Sequence, residues 1–297
     1  MHTPVLLEKV IEYLEPKPGE NFIDCTIGEA GHAKAVLEKI SPDGRVLGID
    51  IDRESLKRIQ PQERLILVQG NFKELKKIVI ENNFLIVNGI LFDLGLSSWQ
   101  IEESGKGFTY KKDEPLIMIL NGKQVVAAEE IINSWPEESL IEIFKKYGEE
   151  KYSRRIVREI VNRRKLAPIK TTFQLREVVS RAIPSAFSLT RRGTLNRILA
   201  RIFQALRIVV NDELENLKQG LEQAVEIIAP GGRIVVISFH SLEDRIVKRF
   251  FKEKENQGQM EVLTDRPVMA DEFEISMNYR SRSAKLRAAV KNRDSKV

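Results

Sequence analysis

Residues 233–249 read Arg233-Ile-Val-Val-Ile-Ser238-Phe-His240-Ser241-Leu-Glu-Asp244-Arg-Ile-Val-Lys-Arg249. An apolar run of strand length ends there in a polar cluster, and apolar residues at helical spacing follow it. In open α/β sheets, ligands bind where strands end and helices begin. The cluster therefore predicts a strand–turn–helix unit that presents polar side chains to solvent and a ligand, namely those of Ser238, His240, Ser241, Glu243 and Asp244. A plainer interpretation stays open, in which Ser241 or Asp244 caps the helix and His240 is only a turn residue.

The same alternation of strands and helices runs through the first hundred residues. Strand candidates are residues 21–25, 45–50, 65–69 and 87–93, and helical spacing separates them. Further candidates are 233–239, 260–264 and 284–290. Strands that alternate with helices indicate right-handed βαβ crossovers and a parallel sheet that helices cover on both faces. We therefore predict an α/β fold.

Between residues 129 and 208 the apolar positions follow the helical period instead, and strand signals are nearly absent. The sheet domain is thus predicted to be interrupted by a mostly helical insertion. We place the insertion at 105–205, so that the sheet domain consists of 1–104 and 206–297.

Charge is unevenly distributed along the chain. The formal net charge is +5, but residues 145–207 hold 17 lysine and arginine residues against four glutamates, a net +13 that leaves −8 for the remainder. A solvated helical face usually mixes both signs. This imbalance predicts a polyanionic partner for the insertion.

Composition excludes several classes of protein. The chain has 297 residues and one cysteine, Cys25, so an internal disulfide is ruled out. No apolar stretch is long enough to cross a bilayer, and the N-terminus lacks the pattern of a signal peptide. We expect a cytoplasmic protein with no membrane partner.

A glycine-bearing turn follows the first strand, in the run Asp24-Cys-Thr-Ile-Gly28-Glu29-Ala-Gly31-His. Asp50 closes the second strand, where a carboxylate can accept hydrogen bonds from ribose hydroxyls. The carboxylates of Asp24 and Glu29 would repel a pyrophosphate, which binds at the positively polarised N-terminus of a helix. They suit S-adenosylmethionine, which is cationic and has no phosphate. A nicotinamide cofactor is therefore the weaker reading, and a turn without any ligand stays open.

The fourth strand ends in Asp93, beside the first strand, where a methyl donor would meet its acceptor. Many amino-group methyltransferases carry an Asp-Pro-Pro-Tyr-like turn at this place, whereas this chain has Asp93-Leu-Gly-Leu96. The general signature is absent, so specificity must come from other residues.

Taken together, these motifs closely resemble one family, the bacterial 16S ribosomal RNA cytosine-N4 methyltransferases (MraW or RsmH family). The resemblance covers nearly the whole chain and rests on these stretches: 2–7, 24–32, 48–52, 93–100, 107–110, 147–150, 203–208, 211–214, 238–248 and 278–283. The run Ser-Phe-His-Ser-Leu-Glu-Asp-Arg at 238–245 is the most specific.

The resemblance implies an S-adenosylmethionine-dependent enzyme with a Rossmann-like sheet that methylates N4 of a cytidine in the small ribosomal subunit. Together with the strand-end argument, it assigns the methyl donor to Gly28, Ala30, Gly31, His32, Asp50, Phe72, Asp93 and Gln100. Asp93 is the first candidate for proton acceptor, with Ser238 and His240 as orienting groups. RNA phosphates are expected at Arg154, Arg155, Arg158, Arg207, Arg280 and Arg282, and also at Lys285 and Arg287. No metal is expected, and the sequence is compatible with a homodimer.

Two stretches depart from the family pattern. Ala30 replaces a glycine, and Ile117 and Ile119 replace an acid and an arginine that could hold the target nucleotide. The second departure leaves one rival open, an RNA-binding assembly protein that kept the cofactor pocket and lost turnover. A methyltransferase acting on a small molecule is a further rival, although it would not need the basic insertion.

Overall fold

The computed structural model describes residues 4–121, 126–183 and 191–293, without the side chains of Arg191 and Arg192. Two positions of the N-terminal motif, His2 and Thr3, lie outside the described residues, as do the two arginine side chains of the basic region. The chain forms two compact units, Met1–Gly95 with Leu214–Val297, and Leu96–Glu213. We call them the sheet unit and the helical unit.

The sheet unit consists, in chain order, of α1 (Leu7–Leu14), β1 (Phe22–Asp24), α2 (Gly31–Lys39), β2 (Val46–Asp50), α3 (Arg53–Lys57), β3 (Leu65–Gln69), α4 (Leu75–Glu81) and β4 (Gly89–Asp93), and later of α11 (Glu213–Ile227), β5 (Arg233–Ser238), α12 (Ser241–Asn256), β6 (Met260–Val262), α13 (Glu272–Met277) and β7 (Lys285–Lys291). Short 3-10 helices cover Phe72–Glu74 and Tyr279–Ser283. Each predicted strand is present, with ends shifted by two residues or fewer.

The seven strands form one sheet in the order β3-β2-β1-β4-β5-β7-β6. The first five strands of this order are mutually parallel. The predicted α/β fold is confirmed, with parallel pairing from β1 to β5. β7 runs antiparallel to both β5 and β6, a direction that was not predicted. β7 returns through the short α13 segment rather than through a crossover helix, and a return of this kind gives antiparallel pairing. β2 and β3 are added on one side of β1, and β4 and β5 on the other. The boundary between β1 and β4 is therefore the switch point of the sheet.

Alternate residues of the central strands enter two hydrophobic cores, one on each face of the sheet. Ile234 and Val236 of β5 pack with residues of α4, α11 and α12. Val235 and Ile237 pack with residues of α1 and α2. Because both faces are covered, the strands read as continuous apolar runs, and this explains why they could be located from the sequence.

The helical unit contains α5 (Ser98–Glu102), α6 (Ala128–Ser134), α7 (Glu137–Lys146), α8 (Ser153–Leu166), α9 (Thr172–Ala182) and α10 (Arg191–Asn211). A separate core, which includes Ile132, Phe144, Ile156 and Leu199, holds α6 to α10 together. In the described part of the chain, no helix is both long and apolar enough to cross a membrane.

Candidate active site

Four neighbouring strands end in a polar side chain at the same edge of the sheet. β2 ends at Asp50, β1 at Asp24, β4 at Asp93 and β5 at Ser238. These strands lie side by side in that order. Asp24, Asp50 and Ser238 are buried. Because parallel strands bring their carboxyl ends together, the row of side chains lies at the switch point, where α/β sheets bind ligands.

The loop between β1 and α2 is tied to the strands on either side. The N–H of Cys25 donates to a carbonyl of β4 at 2.8 Å, and the N–H of Ile27 donates to a carbonyl of β2 at 2.9 Å. Gly28 has a φ of +50°. A Cβ placed on Gly28 would meet nothing closer than an oxygen of Thr26 at 3.8 Å. The loop therefore leaves open space above a fixed backbone, which is what close approach of a ligand requires.

Ala30 makes the turn into α2 with a left-handed backbone conformation. Its φ is +62°, and its N–H donates to the Ile27 carbonyl at 2.7 Å. A side chain in this region costs about 1 kcal/mol or more, and the surrounding hydrogen bonds hold it there. At the next position, Gly31, a Cβ would lie 2.4 Å from Cγ of Pro4. Alanine is thus accommodated at position 30, whereas position 31 has no room for a side chain.

Asp50 holds the glycine loop in place. One carboxylate oxygen accepts the N–H of Gly28 at 3.0 Å, and the other accepts the N–H of Asp52 at 2.8 Å. Burial raises the pKa of Asp50 to about 6, although these backbone donors oppose the shift. Each oxygen retains a second lone pair, so the carboxylate can accept a ribose hydroxyl as well.

Three carboxyl groups, those of Asp24, Asp50 and Asp93, lie at this edge of the sheet. Burial raises the pKa of Asp24 to about 7, with the nearby carboxylates of Asp93 and Asp50 adding to the shift. No lysine or arginine of the described residues forms a salt bridge with Asp24, Asp50 or Asp93. Buried carboxylates without a cationic partner favour a cationic ligand and disfavour a phosphate. Together with the open glycine loop, this donor set fits S-adenosylmethionine.

His32 and Asp93 face each other at this edge. Nε2 of His32 lies 2.9 Å from the Val5 carbonyl, and Nδ1 lies 3.6 Å from Oδ2 of Asp93. Since a carbonyl accepts and cannot donate, Nε2 carries the proton and Nδ1 is free to accept one. Burial lowers the pKa of His32, which keeps the ring neutral. Burial raises the pKa of Asp93 to about 7, and the charge of Glu243 adds to it.

Two polar atoms at the ends of β4 and β5 are buried without a hydrogen bond. They are Oδ1 of Asp93 and Oγ of Ser238, and neither atom has a partner among the described residues. Asp93 is adjacent to Ile237 in the β4–β5 register, one residue before Ser238. A buried polar atom left unpaired costs free energy, so two of them at the ends of neighbouring strands indicate a place where a ligand supplies the partner.

The backbone of Asp93 is fixed by a residue that the sequence analysis missed. The hydroxyl of Thr26 accepts the Asp93 N–H at 2.7 Å. Thr26 lies two residues after Asp24, at the start of the glycine loop. That position was the only indication in the sequence that Thr26 belongs to the site.

His240 caps α12. Nδ1 of His240 accepts the N–H of Glu243 at 3.4 Å, and Oε2 of Glu243 accepts the N–H groups of Phe239 and His240 at 2.9 and 3.2 Å. The plainer interpretation was therefore wrong in naming Ser241 or Asp244 as the cap. Asp244 instead pairs with Arg287 at 2.6 Å. The cap fixes the turn that follows Ser238.

Phe72 and Gln100 belong to different units. The Phe72 ring packs edge-on against Phe92 of β4, with 5.5 Å between ring centroids. A Cβ on Gly220 would lie 2.7 Å from the Phe72 ring, so that glycine lets the ring pack closely. Gln100 lies in the helical unit, where it is buried and its side-chain oxygen accepts the N–H of Ser97 at 3.0 Å in a capping box.

The predicted RNA-binding arginines fall into two groups. The exposed group comprises Arg154, Arg155, Arg158 and Arg282. Arg207 is instead paired with Glu213 at 2.9 Å, and Arg280, in the 3-10 helix at Tyr279–Ser283, is half-buried. Arg287 is 5% exposed and pairs with Asp244, so its expected role on a phosphate was wrong. Neither the alternation of side chains along β7 nor the positive charge of Arg287 could show from the sequence that this side chain is buried.

The segment 115–120 has isoleucines at positions 117 and 119, where the resemblance had led us to expect an acid and an arginine. The side-chain amide of Asn211 donates to the Met118 carbonyl at 2.8 Å, and its oxygen accepts the Leu120 N–H at 3.0 Å. Ile119 packs against the helical core, whereas Ile117 is 36% exposed. Apolar packing and one asparagine thus hold this segment.

Comparisons with known proteins identify one family over this whole arrangement. A family model described as the MraW methylase family matches residues 1–292. Curated relatives extend over almost the full chain. A protein of Carboxydothermus hydrogenoformans named Ribosomal RNA small subunit methyltransferase H is 42% identical over 98% of this chain and 97% of its own length. A Thermotoga neapolitana protein of the same name is 44% identical over 97% of this chain and 95% of its own length.

Solved structures resemble the chain less closely. A putative rRNA-methylase from Clostridium thermocellum covers 98% of this chain and is itself covered completely, at 15% identity and a TM-score of 0.47. A likeness at that level supports no argument about activity.

Proposed function

Because the chain belongs to the MraW methylase family, we propose that it transfers the methyl group of S-adenosylmethionine to N4 of a cytidine in the 16S ribosomal RNA of the small ribosomal subunit. The names of its relatives support the ribosomal substrate. The observation that carries the chemistry is the unpaired, buried Oδ1 of Asp93 at the end of β4. We place this reaction in the cytoplasm.

The residues of the sheet edge hold the methyl donor. Gly28, Ala30 and Gly31 give it access to the backbone, Asp50 accepts hydrogen bonds from the ribose, and Phe72 packs beside the base. Gln100 is assigned to the methionine end by resemblance. S-adenosylmethionine supplies an electrophilic methyl group on a positively charged sulfur.

Asp93 is the proposed proton acceptor. The exocyclic amine of cytosine is a weak nucleophile because its lone pair is delocalised into the ring. A carboxylate with a pKa of about 7 can polarise the N–H and take its proton at neutral pH. Nδ1 of His32, 3.6 Å from Oδ2 of Asp93, can then accept a hydrogen bond from the protonated carboxyl, which keeps the proton on Asp93 and the ring neutral. Ser238 orients the amine with its unpaired hydroxyl, and His240 supports Ser238 through the cap of α12.

Recognition of the RNA is assigned to basic residues of both units. Arg154, Arg155 and Arg158 contact phosphates from α8, and Arg280 and Arg282 do so from the sheet unit. Arg207, already paired with Glu213, is the weakest member of the predicted set. Because a stacked cytosine hides its amine, the target base must leave the stack to react.

The direct test is to incubate the protein with methyl-labelled S-adenosylmethionine and small ribosomal subunits that lack the modification. The labelled nucleotide is then mapped and its methyl position identified. We expect the label on N4 of one cytidine. Label on another base, on ribose or on protein would refute the proposal.

A further inference from the structure

One stretch of the sheet unit exposes an unusual amount of apolar surface. Met269, Phe273, Met277 and Tyr279 are 53%, 75%, 73% and 66% exposed. They fall within eleven consecutive residues, on α13 and its two flanks. Phe273 and Met277 are four residues apart in a helix and so lie on one face. We call these four side chains, with Arg282, the aromatic surface. Exposed apolar groups in such a cluster mark an interaction site.

The aromatic surface lies at the same edge of the sheet as the candidate active site. The Leu6 N–H donates to Oε1 of Glu274 on α13 at 2.6 Å, and the carbonyl of the preceding residue, Val5, is the partner of His32. At its other end, the segment leads directly into β7, whose first residue Lys285 pairs with Ser238 of β5. Both ends of the segment are therefore anchored to residues of the site.

The end of the surface next to β7 has the chemistry of a nucleic-acid contact, whereas the exposed acids Asp271 and Glu272 lie at its other end, before Phe273. The guanidinium of Arg282 lies over the Tyr279 ring, 4.6 Å from its centroid. An aromatic ring with a stacked arginine offers a flat face to a base and a positive charge to the adjoining phosphate. Lys285 extends the positive charge toward Ser238, although it also contacts Asp244 at 3.6 Å. A purely apolar partner would leave the charge of Arg282 without compensation.

We propose that the aromatic surface stacks nucleobases of the single-stranded RNA next to the target cytidine. The inference rests on the proposed RNA substrate and adds a base-contacting site to the phosphate contacts. Stacking of this kind depends little on the RNA sequence, because every base presents a flat π face. The surface would keep the flanking nucleotides unstacked from one another while the target base enters the site.

The test measures binding of the full chain to a single-stranded RNA of roughly 12 nucleotides. A ribose-phosphate chain of the same length without bases serves as the second probe. The variants are the double substitution Phe273→Ala, Tyr279→Ala and the single substitution Tyr279→Phe. The matched control is Leu85→Ala, Ile86→Ala, which removes two exposed apolar side chains, 71% and 65% exposed, just before β4 at the opposite edge of the sheet.

We expect the alanine pair to lower RNA affinity about fivefold or more, the loss that follows from one stacked base. It should leave affinity for the abasic chain and for S-adenosylmethionine unchanged. Tyr279→Phe should bind RNA like the wild type, since it keeps the ring. The control pair should also bind normally. Equal RNA affinity for the alanine pair and the control pair would overturn the inference.

Two further outcomes are decisive. If the alanine pair binds RNA normally but sediments at lower mass than the wild type, the surface joins two copies of the chain and the inference is wrong. If the wild type itself fails to bind RNA or to methylate small subunits, the proposed function fails as well. Normal methylation by the wild type with no effect of the alanine pair refutes only the stacking site.

Discussion

His32 and Asp93 meet at the carboxyl edge of the sheet, with Nδ1 of the imidazole 3.6 Å from Oδ2 of the carboxylate. The Val5 carbonyl fixes the tautomer of the ring, so the nitrogen that faces Asp93 is an acceptor. Burial raises the pKa of Asp93 and lowers the pKa of His32. The pair can therefore take up one proton near neutral pH without forming a charged imidazolium beside an apolar core.

The first prediction concerns the charge of the bound cofactor. Asp24 and Asp93 have a pKa of about 7, so both lose negative charge as the pH falls from 8 to 6. Affinity for S-adenosylmethionine should fall over that range by at least about 1 kcal/mol, roughly fivefold. S-adenosylhomocysteine is the control, since its thioether is neutral and the rest of the molecule is the same. Calorimetry at both pH values gives the comparison, and equal pH dependence for the two ligands would argue against an electrostatic site.

The second prediction concerns stability. The folded-state pKa of Asp24 is raised, so the folded state holds this proton more tightly, and stability is lost as the pH rises from about 4 through about 7. Asp24→Asn removes that penalty and keeps an oxygen for the Thr26 N–H. We expect a gain of roughly 2 to 4 kcal/mol in the free energy of unfolding at pH 8, shrinking as the pH falls toward 4. Urea titration measures it, with the exposed Asp43→Asn as control. A gain that does not depend on pH would contradict the assignment.

The third prediction separates two roles of Asp50. Asp50→Ala loses both the ribose acceptor and the anchor of Gly28, whereas Asp50→Asn retains one acceptor oxygen. Affinity for S-adenosylmethionine should fall by about 1 to 3 kcal/mol in the alanine variant and by less in the asparagine variant. Calorimetry on folded protein measures both. Unchanged affinity in Asp50→Ala would remove this residue from the site.

The fourth prediction locates the phosphate contacts. Replacing Arg154, Arg155 and Arg158 by alanine should flatten the dependence of RNA affinity on salt, because each lost phosphate contact reduces the slope of log K against log salt by about 0.7 to 0.9. Cofactor affinity should not change. The control replaces the exposed lysines Lys76, Lys77 and Lys218 of the sheet unit. The same slope in both triple variants would assign the RNA to another surface.

The positions of the strands in the chain could be predicted because both faces of the sheet are buried, and burial on both faces gives continuous apolar runs. Asp50, Asp93 and Ser238 were found because they end such runs. The direction of β7 was beyond reach, since the period of side chains is the same in parallel and antiparallel strands. The contact of His32 with Asp93 could not be predicted, because the two residues are far apart in the sequence. The capping role of His240 was missed because histidine is not a favoured cap, and the pairing of Arg287 depends on an aspartate of another element.

The fifth prediction concerns Ile117 and Ile119. Because Asn211 and the helical core already hold the segment 115–120, we expect turnover without the acid and the arginine of the family pattern. The variant Ile117→Asp, Ile119→Arg should not be faster than the wild type, and the buried part of Ile119 makes it less stable. Single-turnover methylation of small subunits and urea titration measure the two effects. A wild-type rate at background, rescued by the double substitution, would favour the assembly-protein reading.

In the proposed reaction, Asp93 accepts the proton of a cytosine amine in ribosomal RNA. The most direct test is single-turnover methylation of unmodified small subunits by the wild type and by Asp93→Asn, each saturated with labelled S-adenosylmethionine so that weaker cofactor binding does not enter the rate. We expect label on N4 of a cytidine and a rate at least about a hundredfold lower in Asp93→Asn. A variant rate equal to that of the wild type, with the same labelled nitrogen, would contradict this role of Asp93.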